Sequence, residues 1–305
     1  MFRGKTITYI VSTGPGGIYD AQSRLLARFL QPRLPGSRII VRNVPGAGHI
    51  IGANTIYAAR PDGLTIGTFN TGLILAQLLE RPGIRFDLGK MSYIAKATSD
   101  TRALLVSNIS GLNNIEDIMN APSPVLFGAS GVGSAAYIET RILQDALNLP
   151  LQIVPGFEGT EAELSMLRGE VAAQVGTATS LQPFVDNGNG KFILVLTESE
   201  DYTGIPRAEA YVKDDRGRKL LSLVSTIAQL GRLTAGPPGI PADVLQLLRE
   251  AVADAMADPG YLEDAEKLGI PSDPASGESV QTMVRETLAQ SSETIAYLKG
   301  AAGDQ

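Results

Sequence analysis

Four short segments of this sequence combine glycine with hydroxyl, amide or aromatic side chains: Gly14-Pro15-Gly16-Gly17, Asn70-Thr71-Gly72, Ser130-Gly131-Val132-Gly133-Ser134 and Pro155-Gly156-Phe157-Glu158-Gly159. Each stands between a run patterned as a strand and a run patterned as a helix. Glycine at such a turn removes the Cβ that would hold a ligand away from the backbone. The helix that follows presents unpaired N–H groups carrying partial positive charge. The chemistry this suits is the holding of an anion. Hydroxyls of Thr71, Ser130 and Ser134 add neutral donors, so a carboxylate can be gripped without an arginine. One such loop alone would be an ordinary strand-to-helix turn, but four in equivalent positions point to a binding edge.

Other chemistry is poorly supplied. Gly16-Gly17 lacks the G-x-G-x-x-G spacing of a dinucleotide site, the Gly131-Val132-Gly133 loop lacks its third glycine, and no Walker Lys-Ser/Thr follows either. His49 is the single histidine and there is no cysteine, which excludes His-pair metal centres, thiolate metal sites, thiol nucleophiles and disulfides. No metal, no cofactor and no catalytic residue is therefore expected. A rival reading, an α/β enzyme acting on a carboxylate or phosphate ester, would use Ser130 or Ser134 with His49. It lacks a G-x-S-x-G elbow, and His49 in its Pro-Gly-Ala-Gly loop reads as solvent-facing or locally bonded. Asp20 reads either as a partner of a helix dipole or as a brace for the Gly16-Gly17 loop. The run 213–219, Lys-Asp-Asp-Arg-Gly-Arg-Lys, reads as a solvated surface segment. A net charge of −6 argues against nucleic acid as a partner, since that affinity needs clustered cations.

The elements that must carry these loops follow from periodicity. Ile7–Val11, 38–42, 64–69, 125–128, 151–154 and 191–196 read as strands. Helices are expected over about 50–59, 134–147 and 160–168, on the face traced by Ala21, Leu25, Leu26, Phe29 and Leu30, on that of Val244, Leu248, Val252 and Ala255, and from about 279 to 298. Such alternation predicts α/β units with mostly parallel sheets, which bind ligands at the carboxyl ends of their strands. A chain of 305 residues suits two lobes of about 100–200 residues each, hence a cleft. Crossings between lobes are expected within 99–111 and 223–241. That gives one lobe of residues 1–106 and 225–305, with the last helices packed back on it, and a second of residues 107–224. No window reaches the roughly 18 apolar residues of a membrane helix, and a signal peptide is expected to be absent from this numbering.

At the same loops the sequence resembles the substrate-binding proteins of tripartite tricarboxylate transporters, the Bug family. Gly14-Pro15-Gly16-Gly17-Ile18-Tyr19-Asp20 matches PGGxxD, Asn43-Val44-Pro45-Gly46-Ala47-Gly48 matches N-x-PGAG, and Ala59-Arg60-Pro61-Asp62-Gly63-Leu64-Thr65 matches A-x-PDG-x-T. Gly128 to Ser134 matches a GSxGxGS-like loop, and Gly156-Phe157-Glu158-Gly159-Thr160 with Arg168-Gly169-Glu170-Val171 resembles GYxGT and RGEV. The likeness runs from Lys5 to about Leu298. It implies a two-lobed type II periplasmic-binding-protein (Venus-flytrap) fold with a ligand cleft between two mostly parallel sheets. It also implies a periplasmic, expectedly monomeric receptor that delivers a small carboxylate to membrane permease subunits. From the family it carries over Gly16, Gly17, Ser130, Gly133 and Ser134 as carboxylate ligands, and with the reading of the loops the expected ligand-binding set is Gly16, Gly17, Ile18, Tyr19, Asp20, Asn70, Thr71, Ser130, Gly131, Gly133, Ser134, Gly156, Phe157 and Thr177. In it Gly16, Gly17, Asn70, Ser130 and Ser134 grip the carboxylate, while Tyr19 and Phe157 pack its carbon skeleton. Many relatives carry Tyr-Lys-Gly where this chain has Phe157-Glu158-Gly159, so the aromatic wall keeps its ring without a hydroxyl and a cation becomes an acid.

Overall fold

The computed structural model describes all residues except Gly133, Glu158, 198–201 and 303–305. The chain forms two compact units, the first of residues 1–99 and 230–289, the second of residues 100–229 and 290–305. The first unit begins with β1 (Thr6–Val11), α1 (Ile18–Leu30), β2 (Arg38–Asn43), α2 (Ile50–Tyr57), β3 (Thr65–Thr68), α3 (Leu73–Leu78) and β4 (Ser92–Thr98). The second unit takes over with β5 (Arg102–Ser107), α4 (Ile115–Met119), β6 (Val125–Ala129), α5 (Ala135–Leu147) and β7 (Leu151–Pro155). It continues with α6 (Glu161–Leu167), β8 (Ala173–Thr177), α7 (Ala178–Asp186), β9 (Gly190–Val195) and α8 (Asp215–Leu230). The chain then returns to the first unit as β10 (Arg232–Gly236), α9 (Ala242–Met256), α10 (Pro259–Lys267), β11 (Ala275–Ser276) and α11 (Gly277–Leu288), and ends in α12 (Ser292–Ala302).

The first sheet has the order β11-β4-β10-β3-β1-β2 and the second β7-β6-β8-β5-β9. Both are mixed. In the first, β1 pairs in parallel with β2 and β3, while β10 lies antiparallel to both β3 and β4. In the second, β6 pairs in parallel with β7 and β8, while β5 lies antiparallel to both β8 and β9. The second sheet is therefore a co-directional set with one reversed strand inserted, β5, while the first has β10 inserted in reverse and a second reversed strand, β11, at its edge against β4. The inserted reversed strands, β5 and β10, are the first that the chain makes on entering the second unit and on returning to the first.

Periodicity places the earlier elements well because their patterns are strong. The strand β1 is almost wholly buried, as expected of a parallel strand covered on both faces, whereas the edge strand β2 alternates. The amphipathic face of α1 puts Leu25, Leu26 and Leu30 in one core with Leu248, Val252 and Ala255 of α9. Two expectations change. The single helix expected over 279–298 is two helices, because the Ser291 hydroxyl accepts the Thr294 N–H at 3.1 Å and starts α12 afresh. The second of these, expected on the first lobe, belongs to the second unit, where it packs on α5 and its Glu293 pairs with Lys219 of α8. The charged run 213–219 is a surface segment as expected, exposed at Lys213, Asp214, Asp215, Arg218 and Lys219, and from Asp215 it forms the start of α8, with Arg216 paired to Asp145 and Arg218 to Asp215.

The unit boundaries, at 99/100 and 229/230, differ from the expected 106/107 and 224/225. The stretch 99–111 has polar ends but encloses β5, all six residues of which are buried. Among the described residues no helix is long and apolar enough to cross a membrane.

Candidate ligand-binding site

In the first unit the turns after β1 and β3 lie at the carboxyl ends of adjacent parallel strands. They are stitched together. Both the Ser12 N–H and the Ser12 hydroxyl donate to the Thr68 carbonyl, at 3.1 and 3.0 Å. Beyond Ser12, Gly16 takes φ +87°, a left-handed conformation that costs a side chain strain. Its N–H donates to Asp20 Oδ2 at 3.0 Å. Asp20, 5% exposed, also accepts from Arg24 Nε at 3.0 Å and from Asn43 Nδ2 at 2.9 Å. Burial opposes ionisation of this carboxyl, but the hydrogen bonds from Arg24, Gly16 and Asn43 outweigh it and hold its pKa below the usual range. Asp20 is thus a brace for the glycine loop. With Asp20 so engaged and Gly17 at the N-cap, α1 begins without a side-chain cap.

The neighbouring residues are placed as follows. Ile18 opens α1, half-buried against the core of the unit. Tyr19, expected against a ligand skeleton, is 7% exposed, with the Arg232 guanidinium 5.3 Å from its ring centroid. Its hydroxyl accepts from Asn70 Nδ2 at 3.4 Å, while Asn70 Oδ1 accepts the Gly72 N–H at 2.8 Å. Asn70 thereby shapes its own turn and couples it to the first glycine loop. Thr71 is buried, and its carbonyl accepts the Ile74 N–H. His49 Nδ1 lies 3.1 Å from the Ser12 carbonyl, a locally bonded imidazole. It follows Gly46, Ala47 and Gly48, and all four residues have positive φ.

In the second unit the turn after β6 is tied to the turn after β7. The Gly156 N–H donates to the Ala129 and Ser130 carbonyls at 3.0 and 3.3 Å, and the Phe157 N–H donates to Ala129 at 3.1 Å. Gly156 has φ +114°. Phe157 packs against the core of Leu105, Met166, Val171, Leu181 and Phe184. Ser134, 2% exposed, caps α5: its hydroxyl oxygen accepts the Tyr137 N–H at 3.2 Å, and its own N–H donates to the Gly131 carbonyl at 2.8 Å. Its N–H is therefore spent inside the turn, and only the hydroxyl hydrogen is left to donate. Gly133 and Glu158 lie outside the described residues. Thr177 ends β8, where its hydroxyl accepts from Arg102 Nη1 at 2.5 Å. Arg102 also bonds Glu139 through Nε, at 2.8 Å, and through Nη2. The ion pair is nearly sealed from solvent. Burial pushes the Glu139 pKa up, with Arg102 pulling against it.

Residues 23–299 match the tripartite tricarboxylate transporter family receptors, TctC. The chain belongs to that family. A relative of this receptor in Bordetella pertussis, a protein of the UPF0065 group, is 27% identical over 296 residues, 95% of this chain and 88% of its own. Among solved structures, the periplasmic binding protein BugD superposes with a TM-score of 0.78 at 21% identity, covering 99% of this chain and 98% of its own. MatC from Rhodopseudomonas palustris, with bound malate, superposes with 0.77 at 20% identity, covering 96% and 99%. The TctC receptor described here therefore has the two-unit fold of periplasmic binding proteins.

Three groups of this receptor's candidate site escape sequence reasoning. Asn43, which holds Asp20, stands inside the N-x-PGAG motif and is the one whose signal was present. Arg102 and Arg232 each open a buried reversed strand. Arg102 bonds Glu139, and Arg232 Nη1 donates to Gln22 Oε1 at 3.4 Å. Glu139 and Gln22 are each the fifth residue of the helix that follows a glycine loop, α5 and α1, so the two units repeat one device. Its sequence trace is a lone arginine at the head of an apolar run, Arg102-Ala103-Leu104-Leu105-Val106 and Arg232-Leu233-Thr234-Ala235.

Proposed function

We propose that this receptor captures a small carboxylate, a di- or tricarboxylate or an aromatic acid, in the periplasm and as a monomer. It then passes the ligand unchanged to the permease subunits of a membrane transporter. The observation that carries the reading is the first glycine loop. Gly16 is held at positive φ by a buried, charge-satisfied Asp20, directly ahead of a helix that starts without a side-chain cap. Rigid N–H groups at a helix start, with their positive end of the dipole, suit a carboxylate. Asn70, Thr71, Ser130 and the Ser134 hydroxyl hydrogen supply further donors, and Gly17, Gly131, Gly156 and Phe157 complete the set. Malate in MatC supports the ligand class.

The reading assigns no catalysis, and the rival use of His49 with Ser130 or Ser134 is disfavoured by local roles: His49 Nδ1 is engaged with the Ser12 carbonyl, and the Ser134 hydroxyl oxygen caps α5 through the Tyr137 N–H. A thermal-shift screen of mono-, di- and tricarboxylates with aromatic acids tests it. A true ligand at a hundredfold excess over Kd stabilises by about 3 kcal/mol, and His49→Ala leaves that shift unchanged. Sugars or amines raising the melting temperature while no carboxylate does so would defeat the ligand class, and His49-dependent turnover would defeat the receptor reading.

A further inference from the structure

The first unit holds a cavity of about 500 Å³ between α9 and the stretch that leads from α10 through β11 into α11. Its lining is mostly apolar, buried Ile94, Ala95 and Met256 together with exposed Ala253, Leu262 and Pro274. Among the described residues none of the lining comes from the four glycine loops. Exposed apolar side chains gathered on one concave surface mark a binding site, as scattered ones do not. The volume falls among those of small-molecule sites, about 300–1,000 Å³. It is less than the roughly 850 Å³ that two turns of a partner helix about 10 Å across would displace. The occupant it suits is one small molecule with an apolar body.

The charged groups on the lining select the ligand's charge. Arg249 is held from two sides, its Nε donating to the Tyr93 carbonyl at 3.0 Å and its Nη1 pairing with Glu278. Glu278 in turn accepts its own backbone N–H at the start of α11, which with Ser276 and Arg249 holds its carboxyl below the usual range. These two charges cancel. Glu250 is different. Among the described residues its side chain bonds only the neutral amide of Gln246, Nε2 to Oε1 at 2.9 Å, and has no ion-pair partner. The charge left over on the lining is therefore a carboxylate beside apolar surface. A carboxylate accepts hydrogen bonds and an ammonium only donates them, so a ligand ammonium meets both the charge and the bonding capacity of Glu250.

We propose that this cavity is a second binding site, for a small amine with an apolar or aromatic body, whose ammonium pairs with Glu250. It stands apart from the carboxylate reading above and does not depend on it. Calorimetry on the full chain with tryptamine and hexylamine, each against the alcohol of the same body, tryptophol and hexanol, tests it. At least one amine binds saturably at low-millimolar concentration or below. It binds about fivefold more tightly than its alcohol, the ratio that an exposed charge pair near the top of its usual range supplies. Glu250→Gln brings that ratio to within about twofold. Ala253→Trp, at an exposed position of α9, takes the space of the ligand's body and weakens amine binding about tenfold or more. Both are surface substitutions, so the melting temperature moves by only a few degrees. Absence of saturable binding by either amine overturns the proposal and leaves the carboxylate reading untouched. Amine binding that survives Ala253→Trp belongs to another site and overturns it as well. An alcohol bound as tightly as its amine, or a ratio that Glu250→Gln leaves in place, removes the pairing with Glu250 and the proposal with it.

Discussion

Arg102→Met takes the counter-charge from a carboxylate that has no access to water. Glu139 is 2% exposed, and Arg102 provides both its charge partner and its hydrogen bonds. Without Arg102, Glu139 must stay ionised where it cannot be hydrated or take up a proton. Breaking a buried pair from one side costs about 3–5 kcal/mol, and loss of the Arg102 to Thr177 bond adds roughly 1 kcal/mol. At roughly 2–4 °C per kcal/mol for a unit of this size, the melting temperature near neutral pH falls by on the order of 10 °C or more.

The deficit depends on pH with a definite sign. Glu139 already has a raised folded pKa because burial outweighs Arg102, and removing Arg102 raises it further. A carboxyl raised in this way contributes stability below its unfolded pKa and loses it as pH rises toward its folded pKa. The Arg102→Met deficit therefore shrinks on acidification from about pH 7.5 to about pH 5, by up to roughly 1.4 kcal/mol per pH unit. Arg102→Met with Glu139→Leu removes both charges and returns to within about 2 kcal/mol of the parent. Urea unfolding followed by far-ultraviolet circular dichroism measures all three proteins at both pH values. A deficit under about 1 kcal/mol, a deficit independent of pH, or a double variant no more stable than Arg102→Met would refute the electrostatic account.

Gly16→Ala meets no atom within 4 Å, so its effect is purely that of φ +87°. About 1–2 kcal/mol of strain is expected, with weaker carboxylate binding by calorimetry, and unchanged stability and affinity together would refute it. Asp20 has a depressed folded pKa, so its contribution is present above its unfolded pKa of about 3.9 and is lost as pH falls through the folded value. Melting temperatures of the parent and Asp20→Asn should accordingly converge as the solution is acidified below about pH 4, and a gap that stays constant counts against the brace. Ser134→Ala removes the α5 cap and is expected to lower apo stability by roughly 1 kcal/mol. Any loss of carboxylate affinity beyond that measures the hydroxyl hydrogen's own contact.

What the sequence by itself determines here is local. Alternating strand and helix periods place β1, α1, β2, β6, α5 and β7, and clustered glycines mark the turns that need positive φ or close backbone approach, because both properties depend on a few consecutive residues. The motif residues from Gly14 to Asp20 mark the first glycine loop for the same reason. The tertiary structure decides everything that depends on partners far apart in the chain. The Asp20 brace is completed only when β2 brings Asn43 to it. Ser134 spends its N–H on Gly131 through the shape its turn takes. Arg102 and Glu139 meet only once α5 packs beside β8 and β5. The reversed strands β5 and β10 carry no sign of their direction, since a buried apolar strand reads the same whichever way its neighbours run. Direction, pairing and the satisfaction of buried charge are settled by which elements cover one another, and no single segment holds that information.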